Sequence, residues 1–418
     1  MCSFYFTTDT KCDIENKNRK AQLRGPDYTN IHREKDYVCV HNLLDISTKK
    51  RIQPIVTDDV ALLYNGELYN DNAICDTDII IPLFKKKGAF FAKELDGEYA
   101  ICLIEKKVIH VYTDIFATKP LFFHIGKHIE IGSYPSTFDN PSLVERIPAG
   151  CYLRIDRETK VPSIQRYHVF DLEETVDSFE PVIEAFENAV QKRFKTKRGT
   201  FFGLSSGYDS GSIMQAIFNS KNITTEAFYV ATSDERVDIM IERKKALADN
   251  NIKFNSCMFS SEAEISLMRH KLKQLSEDFV MHESEDGKNM TDVESSLGHY
   301  LLMTAARSED KRVYITGHGA DEILCNYSKR FNFGTFPWKH FYGAKQREYL
   351  LQQEFISGAV GIEARYPMLD RFFVQAFLSL TRELKTSMYK QVFDYYLRKH
   401  CTSFASEFKT GMGGRFII

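Results

Sequence analysis

A cysteine at position 2 directly follows the initiator methionine. Removing Met1 would leave Cys2 as the first residue. Its free α-amine, with a reference pKa near ~8, could then take the proton from its own thiol. Farther along, the apolar run VALLY (60–64) leads into Asn65-Gly66-Glu67, and Cys75-Asp76 opens a helical apolar stretch. Hydrolysing the side-chain amide of glutamine needs a thiolate, donors for a tetrahedral oxyanion, a carboxylate for the substrate ammonium and a cation for its α-carboxylate. Asn65 and the backbone N–H of Gly66 can supply the oxyanion donors, and Asp76 can hold the ammonium.

A second constellation begins at 204. Leu204-Ser205-Ser206-Gly207-Tyr208-Asp209-Ser210-Gly211 lies between the apolar run TFFGL and the helical stretch SIMQAIFN. Small residues let a backbone approach a phosphate, and consecutive N–H groups at a helix N-terminus bind it. Ser205 and Ser210 add hydroxyls, and Asp209 offers oxygen to Mg²⁺. No GxxxxGK[ST] occurs in the chain, which excludes a Walker-type loop.

The elements that must carry these residues differ between two halves. Before about 155 the chain reads as short strands separated by turns: YVCV (37–40), VALLY, YAICLIE (99–105), VIHVYT (108–113) and PLFF (120–123). This predicts a β-rich layered domain over 2–155. Residues 156–180 are polar and mixed and read as a linker. From 181 to 418, helical stretches alternate with buried strands such as AFYVAT (227–232) and RVYITGHG (312–319), predicting a parallel α/β sheet. The polar stretch 282–296 reads as a solvated loop, the alternative being a mobile cover over a site.

Composition narrows the class. The 418 residues, 48.3 kDa, suggest two or three domains. The formal charge of −2 argues against nucleic acid as the main partner. No run is long enough for a membrane span, and the N-terminus lacks a secretory pattern. Nine scattered cysteines form no CxxC pair and read as reduced thiols of a cytoplasmic protein.

The first set of motifs, joined by LDGEYA (95–100), DIFATKPLFF (114–123) and RIPAGCYL (146–153), resembles the class II, N-terminal-nucleophile glutamine amidotransferase domain. The 204–211 loop resembles the SGGxDS loop of N-type ATP pyrophosphatases. Thr316-Gly317-His318-Gly319-Ala320-Asp321-Glu322 resembles the SGEGADE segment of asparagine synthetases, and Gly361-Ile362-Glu363-Ala364-Arg365-Tyr366-Pro367-Met368-Leu369-Asp370 their GVEARVPFLD segment. Lys390 is similar to the lysine that reaches the pyrophosphate, and Lys409-Thr410-Gly411 echoes the family's final loop. Over about 2–415 the chain therefore resembles the glutamine-hydrolysing asparagine synthetase family.

The resemblance implies an αββα glutaminase sandwich followed by a parallel-sheet synthetase domain. It implies Cys2, Asn65, Gly66, His318 and Lys390 as catalytic residues, with Asp76, Glu67 and Arg24 binding glutamine. It implies Leu204, Ser205, Ser206, Gly207, Asp209, Ser210, Val230, Thr316, Gly317 and Lys390 at ATP and pyrophosphate. His318, Asp321, Glu363 and Arg365 would form the acceptor site, and Asp209 and Asp321 would hold Mg²⁺. The expected substrates are glutamine, Mg-ATP and aspartate, with no tightly bound organic cofactor. No nucleic-acid or membrane partner is expected, and a homodimer is the assembly considered. The alternative is adenylation of another carboxylate, as in β-lactam synthetases, and a third reading is a non-catalytic binding protein.

Four departures bear on these expectations. The family's glutamine-carboxylate arginine is Leu43 here, leaving Arg24 or Arg51 as substitutes. Ser206 replaces a glycine. His318 replaces a glutamate; with an ordinary pKa near ~6.5 it can act as a base, the alternative being a histidine that only hydrogen-bonds locally. Cys325-Asn326-Tyr327 replaces a glycine-rich stretch.

Overall fold

A computed structural model describes residues 2–47, 49–70, 75–220, 222–327, 336–404 and 415–417. The 409–411 segment lies outside the described residues. The chain forms two compact units. The first comprises 1–169 with 275–277 and 357–363; the second comprises 170–274, 278–356 and 364–418.

Two antiparallel sheets make the first unit. One contains β1 (Ser3–Thr7), β2 (Tyr28–Arg33), β3 (Val38–Leu43), β8 (Phe122–Ile125), β9 (Ile129–Gly132) and β10 (Glu145–Arg146), in the order β10-β8-β9-β1-β3-β2. The other contains β4 (Ile55–Val56), β5 (Val60–Leu68), β6 (Gly97–Glu105), β7 (Val108–Thr113), β11 (Cys151–Asp156) and β12 (Pro162–Arg166), in the order β12-β11-β7-β6-β5-β4. Alternation along the strands sorts the side chains. Phe4 and Phe6 from β1, Ala61 and Leu63 from β5 and Cys102 and Ile104 from β6 share one buried core. Leu62 and Tyr64 point the other way and pack with Ile80, Phe84 and Phe91 of the helical segments that follow. On the outer face of β1, Ser3 Oγ donates to the Ala21 carbonyl of the Arg19–Arg24 helix at 2.7 Å. The result is the four-layered helix–sheet–sheet–helix order.

In the second unit, β13 (Gly199–Gly203) pairs in parallel with β14 (Glu226–Val230) and β18 (Lys311–Ile315), and β14 pairs in parallel with β15 (Lys253–Cys257). The sheet order is β15-β14-β13-β18-β19, with β19 at Glu363–Arg365. A small hairpin joins β16 (Val280–Met281) to β17 (Lys288–Asn289).

Two stretches differ from the sequence reading. The 156–180 segment is divided: β12 pairs with β11 in the first unit, whereas the Thr175 and Val176 amides donate to Ser379 O in the second. The 282–296 segment is anchored, because the Glu348 carboxylate accepts the N–H groups of His282 and Ser284 at 2.9 Å each. The Ser379 and Glu348 contacts join residues distant in sequence, so local polarity gave no sign of them.

Candidate active sites

The first site sits where β1 begins and β5 nears its end. Asn65 shares the side-chain parity of Ala61 and Leu63, so it faces the other sheet, where Cys2 precedes β1. The Cys2 N–H donates to Asn65 Oδ1 at 2.9 Å. A donor there requires the amide oxygen, which directs Nδ2 the opposite way. Asn65 is fully buried, and its Nδ2 has no hydrogen-bond partner among the described residues. A buried donor without a partner costs about 1–3 kcal/mol and is suited to an oxyanion that arrives only with substrate.

Gly66 has φ +156°, and a Cβ there would lie 2.2 Å from the Glu98 carbonyl oxygen. Only glycine fits between β5 and β6 at this point. Gly66→Ala is expected to lower stability by about 1–3 kcal/mol and glutamine hydrolysis by about 100-fold, read by thermal melting and glutamate release.

The Asp76 carboxylate accepts Tyr64 OH at 2.5 Å and the amides of Thr77 and Leu68 at 2.8 and 3.2 Å. Burial pushes its pKa up against those hydrogen bonds. Asp76 makes no ion pair with a cation among the described residues, so a substrate ammonium would relieve its burial. Burial also pushes the Cys2 thiol up to about 11, opposed by a hydrogen bond from the Leu44 backbone and reinforced by the charges of Glu363 and Asp76. The thiol is therefore protonated near neutral pH and needs a base.

Cys2, Gly66, Glu67, Asp76, Arg51 and Glu363 line one cavity. Glu363, expected at the acceptor site, thus borders the cysteine. Arg24 is fully buried outside that lining, where its Nε donates to the Cys2 carbonyl at 2.9 Å. It positions the cysteine backbone. Two residues support β5 from outside it: Gln53 Oε1 accepts the Tyr64 N–H at 2.7 Å, and His41 Nε2 lies 3.1 Å from Tyr64 O. Burial pushes His41 down to about 4, so that imidazole is neutral.

The second site lies at the C-terminal ends of adjacent parallel strands, the usual ligand position in such sheets. After β13, Ser205–Gly207 leads into the Tyr208–Asn219 helix. Ser205 N–H donates to Ser210 Oγ at 3.0 Å, Gly207 N–H to Ser205 Oγ at 3.3 Å, and Ser206 N–H to Glu235 Oε2 at 2.8 Å. Beneath the loop lies Arg243, 1% exposed, whose Nη1 donates to the Ser205 carbonyl and whose Nε and Nη2 both donate to Ser403 O, at 3.0 and 2.9 Å. Nothing in its local sequence marks it. Leu204 is buried with its N–H on Phe228 O, and Val230 ends β14.

After β18, Thr316 N–H donates to Arg365 O at 3.0 Å, and Thr316 Oγ1 accepts His318 N–H at 3.2 Å. A Cβ on Gly317 would meet Asp209 Cβ at 3.0 Å, so this small residue lets the two loops approach. Lys390 joins them. Its Nζ lies 2.7 Å from both Asp209 oxygens and 2.9 Å from Asp321 Oδ1, and it is 3% exposed. Tyr389 OH also donates to Asp321 Oδ1, at 2.9 Å. Lys390 holds φ +47°, a conformation that non-glycine residues rarely adopt.

Two family models match these halves: the glutamine amidotransferase domain over residues 1–147 and asparagine synthase over 182–357. The chain belongs to the glutamine-hydrolysing asparagine synthetase family. The asparagine synthetase [glutamine-hydrolyzing] of Gallus gallus is 26% identical, covering 88% of this chain and 74% of the relative. Asparagine synthetase B of Escherichia coli (strain K12) is 22% identical, covering 92% and 76%. Among solved structures, the glutamine phosphoribosylpyrophosphate amidotransferase from B. subtilis has a TM-score of 0.35 at 12% identity, covering 76% of this chain and 81% of that one. So distant a superposition carries no argument.

Two acceptor-site expectations of the family meet a different setting here. His318 lies 6.0 Å, ring to ring, from both Tyr349 and Tyr366. Burial, with His299 adding to it, pushes His318 down to about 3. It is a neutral imidazole near pH 7 whose Nε2 has no hydrogen-bond partner among the described residues, not the near-neutral base its ordinary pKa suggests. Arg365 is fully buried, and its Nη1 donates to the carbonyls of Arg193 and Lys195 at 2.7 and 3.1 Å. That is a structural post rather than an open cation for a substrate.

Among the described residues no cluster of three or more His, Cys, Asp or Glu could cage a metal. Asp209 and Asp321, converging on one cation, match what Mg²⁺ takes when phosphate oxygens complete its shell: one or two carboxylates.

Proposed function

We propose that this asparagine synthetase-type amidotransferase converts aspartate to asparagine, using glutamine and Mg-ATP and releasing glutamate, AMP and pyrophosphate. In the glutaminase half, the α-amine of processed Cys2 takes the thiol proton and the thiolate attacks the glutamine amide. Asn65 Nδ2 and the Gly66 N–H stabilise the oxyanion, and Asp76 holds the substrate ammonium. Water then frees glutamate from the thioester, and the ammonia serves the second reaction.

In the synthetase half, Ser205, Ser206, Gly207 and Ser210 cradle the departing pyrophosphate. Mg²⁺ held by Asp209 and Asp321 would neutralise phosphate charge when bound. The aspartate side-chain carboxylate attacks the α-phosphate of ATP, Lys390 takes up the charge that develops on the departing pyrophosphate, and ammonia displaces AMP from the resulting acyl-adenylate. The convergence of Lys390 with Asp209 and Asp321 is the observation that carries this reading. His318, being neutral, orients the acceptor or its nucleophile by hydrogen bonding.

The test is mass spectrometry of a reaction holding Met-processed protein, Mg-ATP, aspartate and amide-¹⁵N glutamine. Labelled asparagine with equimolar AMP is expected. Glutamate without asparagine would show a working glutaminase serving another carboxylate. Asp321→Asn should cut pyrophosphate release about 100-fold with glutamine or ammonia, and normal turnover there would remove the metal-holding role.

A further inference from the structure

The α-carboxylate of glutamine needs a cation, and the position where the family carries one holds Leu43, an apolar residue lining the cavity. Three cationic side chains line that cavity among the described residues: Lys49, Lys50 and Arg51. Both lysines are exposed, and Lys50 lies over the Tyr28 ring at 4.8 Å. Arg51 is only half-buried but is fixed in place. Its Nε and Nη2 donate to the two oxygens of Asp78 at 2.7 and 2.6 Å. This side-on pairing leaves the Nη1–Nη2 edge of the guanidinium, a second fork matched to a carboxylate.

The anchor matters as much as the cation. Asp78 lies on the Asp76–Ile79 turn, two residues after Asp76. The amino and carboxylate groups of an α-amino acid are substituents of one carbon. Their binding groups must therefore come from neighbouring points of the structure. A turn that presents Asp76 and also pins Arg51 through Asp78 meets that requirement.

We propose that Arg51, held by Asp78, binds the α-carboxylate of glutamine in this chain, in place of the arginine that Leu43 supplants. The assignment rests on the glutaminase reading above. Asp78 acts through Arg51 and is a positioning residue.

The experiment compares glutamine with 4-aminobutanamide, the same molecule without its carboxylate, as ammonia donors for Met-processed protein. Wild type should prefer glutamine by about 100-fold or more in kcat/KM. Arg51→Ala and Arg51→Gln should abolish the preference by losing glutamine, with little change on the analogue. Arg51→Lys should restore part of it. Asp78→Asn should raise KM for glutamine several-fold more than it lowers kcat. Ammonia-dependent synthesis should be unchanged in all four. Undiminished preference in Arg51→Ala and Arg51→Gln overturns the assignment alone. A wild type that hydrolyses neither amide overturns the glutaminase reading, and the assignment with it.

Discussion

Lys390→Ala should abolish synthesis with glutamine and with ammonia alike, by about 10²–10³-fold, while glutamine hydrolysis to glutamate continues. The geometry carries the expectation. One buried ammonium touches two carboxylates that come from the ends of different strands. Removing it takes away the ammonium that Asp209 and Asp321 share, and because both carboxylates are partly exposed the loss is about 1–3 kcal/mol. Lys390→Arg should not rescue turnover, because a planar fork cannot replace a point charge seated between two carboxylates. Continued glutaminase activity in the same preparation serves as the control for the first unit's integrity. Full AMP formation by Lys390→Ala would sink the proposed role.

The pH behaviour of this cluster has a definite sign. Burial alone would lower the Lys390 pKa, but Asp209 and Asp321 outweigh it and hold the ammonium well above its usual value. Its contribution is therefore complete below the ordinary lysine pKa and is lost only as pH rises through the raised one. Partial burial alone would raise the Asp321 pKa, yet Lys390 and its hydrogen bonds hold it below the ordinary carboxylate range. Its contribution is present above that range and is lost as pH falls through the lowered value. Stability from the cluster should thus be flat from about pH 5 to pH 9, and pH-dependent melting outside that window checks it.

Much of this was legible in the sequence because the chemistry sits on short local signals. The polar residues that follow VALLY within β5 give Asn65 and Gly66, and the small-residue run after TFFGL gives the phosphate loop. Asp209 and Asp321 are named by their motifs, and their juxtaposition follows from the parallel pairing of β13 with β18, the strands they follow. What stayed hidden depends on contacts far apart in the chain. Arg243 supports Ser205 from 38 residues away, and Arg24 holds the Cys2 carbonyl from 22 away. His318 looks like a titrating base until its burial near His299 makes it a neutral imidazole. Glu363 reads as part of an acceptor motif, yet borders the cysteine cavity. The 156–180 stretch looks like a tether because β12 is exposed along its length and its pairing with β11 leaves no apolar trace.

Retaining Met1, or placing any peptide before Cys2, should cut glutamine hydrolysis by about 10²–10⁴-fold and leave ammonia-dependent synthesis intact. With a residue ahead of it, the Cys2 nitrogen is an amide that donates to Asn65 and cannot accept a proton. The thiol is left with a pKa of about 11, set first by burial, so little thiolate forms near neutrality. Once Met1 is gone, the same nitrogen is an amine with a reference pKa near ~8 and can act as the base. The two forms should then differ in pH profile. Hydrolysis by the processed enzyme should level off above about pH 8. Residual activity of the extended form should climb about tenfold per pH unit towards 11, since it tracks the thiolate fraction. Cys2→Ala should remove both profiles. The measurement is glutamate release against pH for N-terminally and C-terminally tagged protein, with the N-terminal mass of each determined. Wild-type hydrolysis at pH 7 by protein whose mass shows Met1 in place would mean that another group activates the thiol.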